Sequence, residues 1–361
     1  MPDRPVLLVS PLADHAPPGG RAMLARMHRA VLHDLFGEDL LTVRPEGCAS
    51  PVAGVLRGHI DGIDSAALAR IVRLARDRGV AQLFLDGSNL GAVARAVRRG
   101  CPEVRIVTFF HNVEARFFWG AFRDRPGVRP IGVVAANWRA ERQAVRHSDV
   151  LVCLNARDGD LLARWYGRRA DAILPLTMAE RPVAAGPRMR NDGFVLFVGG
   201  GFYANRVGIA WFARSVAPRL AVRTVVVGRD MPPIAGVEVM GAVDDLAPWY
   251  RDAQVVIAPI FDGSGMKTKV AEALMHGKHV IGTPEAFVGY ARDVVVANTC
   301  ATDADGFVRA IAARTGQALP PFDPAMRALF DRFHGTAAAR DRLAAIMTPP
   351  AGAAPPAAPP A

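Results

Sequence analysis

The stretch that decides the fold is PIFDGSGMKTKVAEALMHGKHVIGTP, residues 259–284. It completes the apolar run VVIAPI (255–260) and ends in a second apolar run, HVIGTP (279–284). Between the two runs lie a glycine-rich turn and a segment with apolar residues at helical spacing, so the predicted order is strand, turn, helix, strand. Two parallel strands joined through a helix are the repeating unit of a doubly wound α/β sheet.

The turn in this stretch has the residue types of a phosphate-binding site. Gly263 and Gly265 permit backbone conformations that are closed to other residues and leave room for a ligand. The first N–H groups of the helix, predicted from about residue 266, lack intrahelical partners and favour an anion. Only three of the 44 lysine and arginine residues are lysines, and Lys267, Lys269 and Lys278 all lie here. The first two add flexible point charges of the kind that suits phosphate.

Glu272 follows within the same predicted helix. Its carboxylate can accept hydrogen bonds from two neighbouring hydroxyl groups, as on a ribose. It can also form a surface pair with Lys269 at i, i+3 spacing, worth a few tenths of a kcal/mol. The residues alone leave both roles open.

The same alternation continues through the rest of the chain. In the second half the predicted strands are 194–200, 223–228, 255–260 and 279–284, and the helices include 206–220 and 245–253. In the first half the predicted strands are 5–12, 40–43, 81–86, 104–112 and 150–155, and the helices are 21–36, 66–79, 89–100, 137–148 and 156–167. This pattern is typical of parallel sheets covered on both faces, with ligands at the carboxyl ends of the strands.

The predicted fold class is therefore α/β, with two Rossmann-like doubly wound domains facing a cleft. Prolines, glycines and charged residues interrupt the alternation over 177–193, which we interpret as a linker. The N-terminal domain would span 1–176 and the C-terminal domain 194–347, with a last helical segment (324–347) able to pack back on the first domain. The Pro/Ala-rich tail, 348–361, is expected to be disordered.

Composition restricts the class of protein further. A length of 361 residues predicts about two domains. The four cysteines form no C-x-x-C pair, so neither a zinc site nor a disulfide framework is expected. No apolar run approaches the roughly 18 residues of a membrane-spanning helix, and the N-terminus lacks the form of a secretory signal. We therefore expect a cytoplasmic protein.

The net charge of +10 is unevenly distributed. Residues 1–176 contain 25 arginines against 18 acidic residues, a surplus of +7. The first domain is thus expected to meet an anionic partner, either a phosphorylated substrate or an acidic membrane surface. Nucleic acid is not expected, because no basic block is interleaved with aromatic residues.

Two segments carry a resemblance to a known family. Residues 241–290, GAVDDLAPWYRDAQVVIAPIFDGSGMKTKVAEALMHGKHVIGTPEAFVGY, resemble the donor-binding half of family-four (group 1) glycosyltransferases of the GT-B fold, in the branch with G-x-G-x-K-x-K-x-x-E-A. FVGGGFYANRVGIAWFARSVAPRL (197–220) is also similar to that branch, in which an Asn and a helix follow a glycine-rich strand end. The likeness is clear over 194–290 and weaker before it.

The resemblance implies that this half binds a nucleotide-sugar. It assigns Gly263, Ser264 and Gly265 to the diphosphate and sugar, Lys267 and Lys269 to phosphate, Glu272 to the ribose and Gly200 to the donor. Many relatives have a glutamate where this chain has Ser264, eight residues before the ribose carboxylate. The identity of the sugar, and the activity itself, therefore depend on that position.

The resemblance also reaches the first half. Gly19 and Gly20, between the first strand and the first helix, resemble a glycine turn that lets the two domains close over the donor; a plain helix-entry turn is the alternative. His111 and Glu114 follow a predicted strand in HNVE, where family members often show H-N-x-E. In the family this histidine contacts the donor sugar or the acceptor. A neutral imidazole there could take the proton of an acceptor hydroxyl, or its N–H could donate to a sugar hydroxyl, and we assign both residues to the acceptor.

Two other motifs suggest different chemistry and are set aside. Asp158-Gly159-Asp160 imitates a metal-binding D-x-D but stands at a helix start, where Asp is favoured as a cap, and Asp244-Asp245 has the same explanation. FVGGGF lacks the spacing of a dinucleotide fingerprint, so an oxidoreductase is not expected. With lysines and a helix start at the diphosphate, no metal or other cofactor is required.

The predicted activity is transfer of a sugar from a nucleoside-diphosphate sugar to an acceptor hydroxyl, with His111 and Lys267 as the catalytic residues. The resemblance implies retention of anomeric configuration and a place in polysaccharide or glycolipid biosynthesis. Two alternatives stay open: a partner subunit that binds the nucleotide-sugar without turnover, and a nucleotide-sugar epimerase.

The surplus positive charge of the first domain leads to a prediction about membranes. Together with Phe117, Phe118 and Trp119, it favours a lipid-linked acceptor reached by peripheral binding to an anionic membrane surface. The protein should sediment with anionic liposomes at low salt and not with neutral ones. Failure to bind the anionic liposomes would contradict the hypothesis.

Overall fold

The computed structural model describes residues 5–11, 20–46, 59–124, 127–184, 193–263, 265–317 and 320–349. These residues form two compact units. Unit 1 comprises the described residues up to Pro175 together with those from Ala339, and unit 2 comprises those of Leu176–Ala338. Each unit is built on a six-stranded sheet in which every paired strand is parallel. The predicted α/β class with two doubly wound parallel sheets is confirmed.

Unit 1 alternates strands and helices along the chain. Its strands are β1 (Val6–Val9), β2 (Leu40–Val43), β3 (Gln82–Asp86), β4 (Arg105–Phe110), β5 (Val150–Cys153) and β6 (Ala172–Ile173). Its helices are α1 (Gly20–Phe36), α2 (Ser65–Asp77), α3 (Gly91–Gly100), α4 (Glu114–Asp124), α5 (Val128–His147) and α6 (Ala156–Tyr166). The strands carry continuous apolar runs because both faces of the sheet are covered, and Val6–Val9 is buried at every position.

The strand order in unit 1 is β2-β1-β3-β4-β5-β6. From β1 the chain moves to one side to form β2, and then returns to place β3 on the other side. The order therefore reverses between β1 and β3. In open α/β sheets the ligand site lies at such a reversal, outside the carboxyl ends of the strands.

Unit 2 repeats the plan with strands β7 (Phe194–Val198), β8 (Thr224–Val227), β9 (Glu238–Gly241), β10 (Ala253–Ala258), β11 (Val280–Gly282) and β12 (Thr299–Cys300). Its helices are α7 (Tyr203–Ser215), α8 (Ala247–Asp252), α9 (Thr268–Met275), α10 (Arg292–Ala297), α11 (Ala304–Thr315) and α12 (Pro324–Phe333). The order β12-β11-β10-β7-β8-β9 reverses between β7 and β10. This reversal is the point at which a ligand site is expected in unit 2.

Helix α7 is held tightly against the reversal by a glycine. A β-carbon on Gly208 would lie 1.8 Å from the carbonyl oxygen of Pro259, the first residue after β10. A contact this short is impossible for any other residue, so the helix and the strand end meet backbone to backbone. The loop that follows β10 is thereby fixed at its start.

The structure differs from the sequence predictions in several elements. Helix α4 received no prediction, because its aromatic residues and Gly120 are weak helix formers. Helix α5 begins at Val128 and not at 137, since a proline at position 130 is tolerated in a first turn. The short strands β6, β9 and β12 and the helices α10 and α11 were also missed. The segment 324–347 is broken at His334 and Gly335 into α12 and α13 (Thr336–Met347).

The end of the chain contributes to both units. Residues from Ala339 onward group with unit 1, where the guanidinium of Arg105 donates to the carbonyl oxygens of Ile346 and Met347 at 2.9 and 3.4 Å. Positions 185–192 of the predicted linker and 350–361 of the predicted tail lie outside the described residues. No described helix is both long and apolar enough to cross a membrane.

Candidate functional site

The reversal in unit 2 brings together the loops that follow β7 and β10. The first loop, residues 199–201, lies directly against the backbone of the loop after β8. A β-carbon on Gly201 would be 1.9 Å from the carbonyl oxygen of Asp230, and one on Gly200 would be 3.1 Å from that of Arg229. Because residues 199–201 are glycines, the main chain at this strand end carries no side chains. Gly200 lies where the sequence placed it, and its contact with a donor stays a prediction.

The second loop contains the glycine turn with which the sequence analysis began. Gly263 has φ 146° and Gly265 has φ 60°, conformations that favour glycine. Ser264 lies outside the described residues. Helix α9 begins at Thr268 and not near 266, because Lys267 is extended (φ −89°, ψ 102°) and occupies the N-cap position. Lys267 thus stands immediately before the helix.

Lys267 is paired with a carboxylate that sequence analysis did not assign. Its Nζ lies 2.9 Å from Oε1 of Glu285 and 3.3 Å from the carbonyl oxygen of Gly265. Glu285 belongs to a short 3-10 helix, Pro284–Phe287, that follows β11. The lysine side chain is 9% exposed. Its Nζ therefore lies at the turn beside a carboxylate, and its contact with phosphate stays a prediction.

Lys269 lies deeper than the sequence suggested. Its Nζ lies 2.9 Å from Oδ1 of Asn205 and 5.3 Å from the ring centroid of Phe197. Nδ2 of Asn205 in turn donates to the carbonyl oxygen of Gly200 at 2.9 Å. Burial, reinforced by repulsion from Lys267, lowers the pKa of Lys269 to about 8. Lys269 thereby connects α9 to the glycine loop after β7, and direct contact with phosphate stays a prediction.

Glu272 lies one turn further along α9. Its Oε1 accepts from Nη1 of Arg181 at 3.0 Å and its Oε2 from the hydroxyl of Tyr250 at 3.2 Å. Burial raises the pKa of Glu272, and Arg181 and Tyr250 partly oppose that shift. The carboxylate is already oriented by two donors, and its role toward a ribose stays a prediction.

The third lysine of the motif has a structural role. Lys278 is buried, and its Nζ donates to the carbonyl oxygens of Arg251 and Ala253 at 3.1 and 2.7 Å. These carbonyls end helix α8 and begin strand β10. The ammonium group therefore satisfies backbone acceptors at the start of β10, the end of the strand opposite the glycine turn.

In unit 1 the reversal between β1 and β3 surrounds a buried carboxylate, Asp86. Its Oδ2 accepts from the hydroxyl of Ser10 at 3.0 Å, and its Oδ1 lies 2.9 Å from Nδ1 of His28. Burial would raise the pKa of Asp86, but His111 and His28 hold it well below its usual range. Sequence analysis did not select Asp86 or His28, because 58 residues separate them along the chain.

His111 is the third neighbour of this carboxylate. It directly follows β4, as predicted, and is 4% exposed. Its Nε2 lies 3.0 Å from Oδ1 of Asp86, although the ring is not aligned for a straight hydrogen bond. Its Nδ1 has no hydrogen-bond partner among the described residues. Both ring nitrogens are therefore buried without a well-aligned hydrogen bond among the described residues.

Glu114 is the first residue of α4 and is buried. The backbone N–H groups of Glu114 and Ala115 donate to the two carboxylate oxygens of Glu141 at 2.6 and 3.1 Å. Tyr166 donates its hydroxyl to the same carboxylate at 2.6 Å. Glu141 therefore serves as a cap for α4 from a distant helix. Burial raises the pKa of Glu141 to about 7, against the opposing effect of these donors.

Other predicted positions have mixed outcomes. Gly20 is the exposed first residue of α1, and Gly19 lies outside the described residues, so the glycine turn stays a prediction. Among the aromatic residues expected at the surface, Trp119 is 38% exposed, whereas Phe117 and Phe118 are only partly exposed.

Asp158 and Asp160, which form the D-x-D-like sequence in α6, both make local contacts. Asn155, and not an aspartate, is the N-cap residue; it accepts from the N–H of Asp158 at 2.9 Å. Asp160 pairs with Arg169 at 2.7 Å. The prediction that an aspartate caps this helix is therefore wrong, since the N-cap residue is Asn155.

Comparison with known proteins agrees with this geometry. Residues 193–315 match the family model described as Glycosyl transferases group 1. HepE from Anabaena, solved in complex with UDP, is similar over 95% of this chain and 99% of its own, with 12% identity and a TM-score of 0.66. No curated protein sequence matches the chain.

Two further solved structures are similar at the same level. Sucrose-phosphate synthase from Thermosynechococcus elongatus shows 15% identity and a TM-score of 0.61, with 95% of this chain and 94% of that chain covered. The lipopolysaccharide outer core galactosyltransferase WaaB shows 11% identity and a TM-score of 0.61, with 94% and 98% covered. These likenesses establish the GT-B fold.

The cap on α4 gives a testable pH dependence. Because the pKa of Glu141 is raised from 4.5 to about 7, the folded protein binds this proton more tightly than the unfolded chain. The stabilisation is complete below pH 4.5 and is lost as the pH rises toward 7, by up to about 3 kcal/mol. Glu141→Gln should remove this slope, measured as Tm between pH 5 and 8.

Glu103→Gln, at an exposed position of the same unit, is the matched control and should keep the wild-type slope. Parallel Tm curves for wild type and Glu141→Gln would show that the carboxylate does not titrate in this range.

Proposed function

We propose that the protein transfers a sugar from a nucleoside-diphosphate sugar to a hydroxyl group of an acceptor, which the match of residues 193–315 to the family model Glycosyl transferases group 1 supports. The observation that carries the proposal is the arrangement at the end of β10. There a bare glycine turn, a lysine and an oriented carboxylate belong to one loop and one helix. We assign donor binding to unit 2 and acceptor binding to unit 1.

In the proposed donor complex, Gly263 and Gly265 admit the diphosphate to the main chain, and the first N–H groups of α9 face it. Lys267 contacts the diphosphate oxygens, and Glu272 accepts hydrogen bonds from the ribose hydroxyls. As the bond between the anomeric carbon and the diphosphate oxygen breaks, negative charge accumulates on the leaving group. A cation already held in place stabilises that charge without reorganisation.

Glu285 gives this step a specific feature. Its Oε1 lies 2.9 Å from Nζ of Lys267. A diphosphate, which carries more negative charge than one carboxylate, competes for the same ammonium group. We therefore propose that donor binding exchanges Glu285 for the diphosphate at Lys267. Support for this comes from the position of the buried Lys267 and the partly buried Glu285 beside the glycine turn.

In unit 1 we propose that His111 receives the proton of the acceptor hydroxyl. The acceptor oxygen forms the new bond to the anomeric carbon, and the proton passes to the imidazole of His111. Asp86 positions the ring and stabilises the imidazolium that results. Retention of the anomeric configuration and independence from metal are parts of this proposal, motivated by the family resemblance and by the lysine at the diphosphate.

We further propose that the reaction serves polysaccharide or glycolipid synthesis in the cytoplasm, at the inner face of a membrane. The surplus of 25 arginines over 18 acidic residues in 1–176 supports an anionic surface as the place of action.

A screen of nucleotide-sugars tests the donor site. One sugar donor should raise the Tm of the protein and should be consumed with release of its nucleoside diphosphate when acceptor is present. Lys267→Ala should lower turnover tenfold or more, since one charge-stabilising contact to a leaving group contributes roughly 2–4 kcal/mol. Arg309→Ala, which removes an exposed cation of unit 2, is the matched control.

Unchanged kinetics in Lys267→Ala would reject the phosphate role of Lys267. Donor binding without consumption would favour a binding subunit, and conversion of the donor to an epimer would favour an epimerase. Proton NMR of the product distinguishes retention from inversion.

The base role of His111 is tested separately. His111→Ala should lower the rate of transfer by about a hundredfold or more, while donor affinity is nearly unchanged. His33→Ala, at an exposed histidine of α1, should retain full activity. A large fall in Tm of His111→Ala with normal specific activity of the folded fraction would show that the residue is only structural.

A further inference from the structure

A hydroxyl group from another part of the chain lies within the first turn of helix α9. The phenolic oxygen of Tyr290 accepts from the backbone N–H of Ala271 at 3.0 Å and donates to the carbonyl oxygen of Lys267 at 2.7 Å. In a regular α-helix the N–H of residue 271 would donate directly to the carbonyl of residue 267. Tyr290 is therefore inserted into the hydrogen bonds of the helix, at the lysine to which we assign the diphosphate.

The side chain of Tyr290 is held in place. The residue is 8% exposed, and the centroid of its ring lies 5.0 Å from that of His334. Burial raises the pKa of Tyr290, so the hydroxyl keeps its proton and can donate to the carbonyl of Lys267. Buried tyrosines usually find a hydrogen-bond partner for the hydroxyl, and this one both donates and accepts.

These contacts set the conformation of Lys267. Its carbonyl oxygen accepts from the hydroxyl of Tyr290 and from the N–H of Val270 at 3.0 Å, while its backbone is extended, with φ −89° and ψ 102°. The next two N–H groups, at positions 268 and 269, have no intrahelical acceptor. Nζ of Lys267 lies 3.3 Å from the carbonyl oxygen of Gly265. Both the ammonium group and the positive end of the helix thus lie next to the glycine turn.

The segment that carries Tyr290 also contacts the side chain of Lys267. This segment, residues 283–290, follows β11 and begins with Thr283, whose hydroxyl donates to the carbonyl of Ile260 in the loop after β10. Oε1 of Glu285 then lies 2.9 Å from Nζ of Lys267. The segment 283–290 therefore contacts Lys267 through both its backbone and its ammonium group.

We propose that Tyr290 is a positioning residue of the anion site in unit 2: its hydroxyl keeps Lys267 outside the helix, so that the ammonium group and the first N–H groups of α9 bind one diphosphate together. The description of that diphosphate as part of a nucleotide-sugar rests on the proposed function. The binding of the anion does not, because it requires no base, ribose or acceptor.

Removal of the hydroxyl has a specific structural consequence. In Tyr290→Phe the N–H of Ala271 can donate directly to the carbonyl of Lys267, which adds one regular hydrogen bond to the helix and draws Lys267 into it. The lost contacts are thereby partly replaced, so Tm should change little. The lysine, however, no longer lies where the anion binds, so the affinity for the anion should fall.

Inorganic pyrophosphate, titrated calorimetrically into the full chain, is the probe. Tyr290→Phe should bind it about tenfold or more weakly than wild type, the effect of a displaced hydrogen bond to a charged group. Glu285→Gln should bind it about threefold or more tightly, because a negative charge beside the ammonium group is removed. Tyr166→Phe, which removes the buried hydroxyl that donates to Glu141 in unit 1, is the matched control and should bind pyrophosphate like wild type.

The opposite signs separate positioning from a general effect on the fold. If the segment 283–290 were only structural, Tyr290→Phe and Glu285→Gln would both weaken binding, or Tyr290→Phe would lower Tm and leave the affinity unchanged. Either result would overturn the role of Tyr290, as would the absence of pyrophosphate binding to wild type.

The donor screen distinguishes this inference from the proposed function. Pyrophosphate binding that depends on Tyr290, in a protein that consumes no nucleotide-sugar, would reject the proposed function and leave the positioning role standing. Consumption of a nucleotide-sugar with equal KM and kcat by wild type and Tyr290→Phe would reject the positioning role and leave the proposed function standing.

Discussion

The burial of charged groups at the ends of the strands is the constraint on which the arrangement of both units depends. A charge removed from water must be compensated by a partner of opposite charge or by several hydrogen bonds. Asp86 meets this requirement with two histidines and a serine, and Glu141 meets it with two backbone N–H groups and a tyrosine. Lys278 meets it with two carbonyl oxygens. For Asp86 and Glu141 the compensation fixes an element next to the proposed chemistry, and for Lys278 it fixes the start of β10.

The two units reach equivalent solutions through the same topology. In both sheets the strand order reverses beside the first strand of the unit, so that two loops diverge and leave space above the strand ends. Unit 2 uses glycines to bare its main chain there, and unit 1 places side chains around Asp86. The first arrangement is suited to an extended anion such as a diphosphate, and the second is suited to a group that must exchange a proton.

The parts of the site that could be predicted from sequence are those contained in one short segment. Gly263, Gly265, Lys267 and Glu272 lie within ten residues, and helix periodicity with turn chemistry is sufficient to place them. The missed residues depend on contacts across long separations: Ser10 and Asp86 are 76 residues apart, and Asn205 and Lys269 are 64 apart.

Long-range packing likewise explains the missed helix α4, whose sequence has weak helix propensity. Its first turn is capped by Glu141, 27 residues beyond Glu114. The burial of Lys269 was also not predictable, because a lysine near the start of a helix is ordinarily solvated. It is buried here against the aromatic ring of Phe197 and the side-chain amide of Asn205, both distant in sequence.

The pairing of Lys267 with Glu285 bears on which ligand the proposed donor site would favour. An ammonium group at 9% exposure is costly to bury alone, and the carboxylate of Glu285 at 2.9 Å compensates for it. Glu285 thereby also orients the lysine side chain. In the proposed exchange, a singly charged anion would replace one carboxylate by another and gain little, whereas a diphosphate would retain a net attraction to Lys267. The pair that fixes the position of Lys267 would therefore also favour the more highly charged ligand.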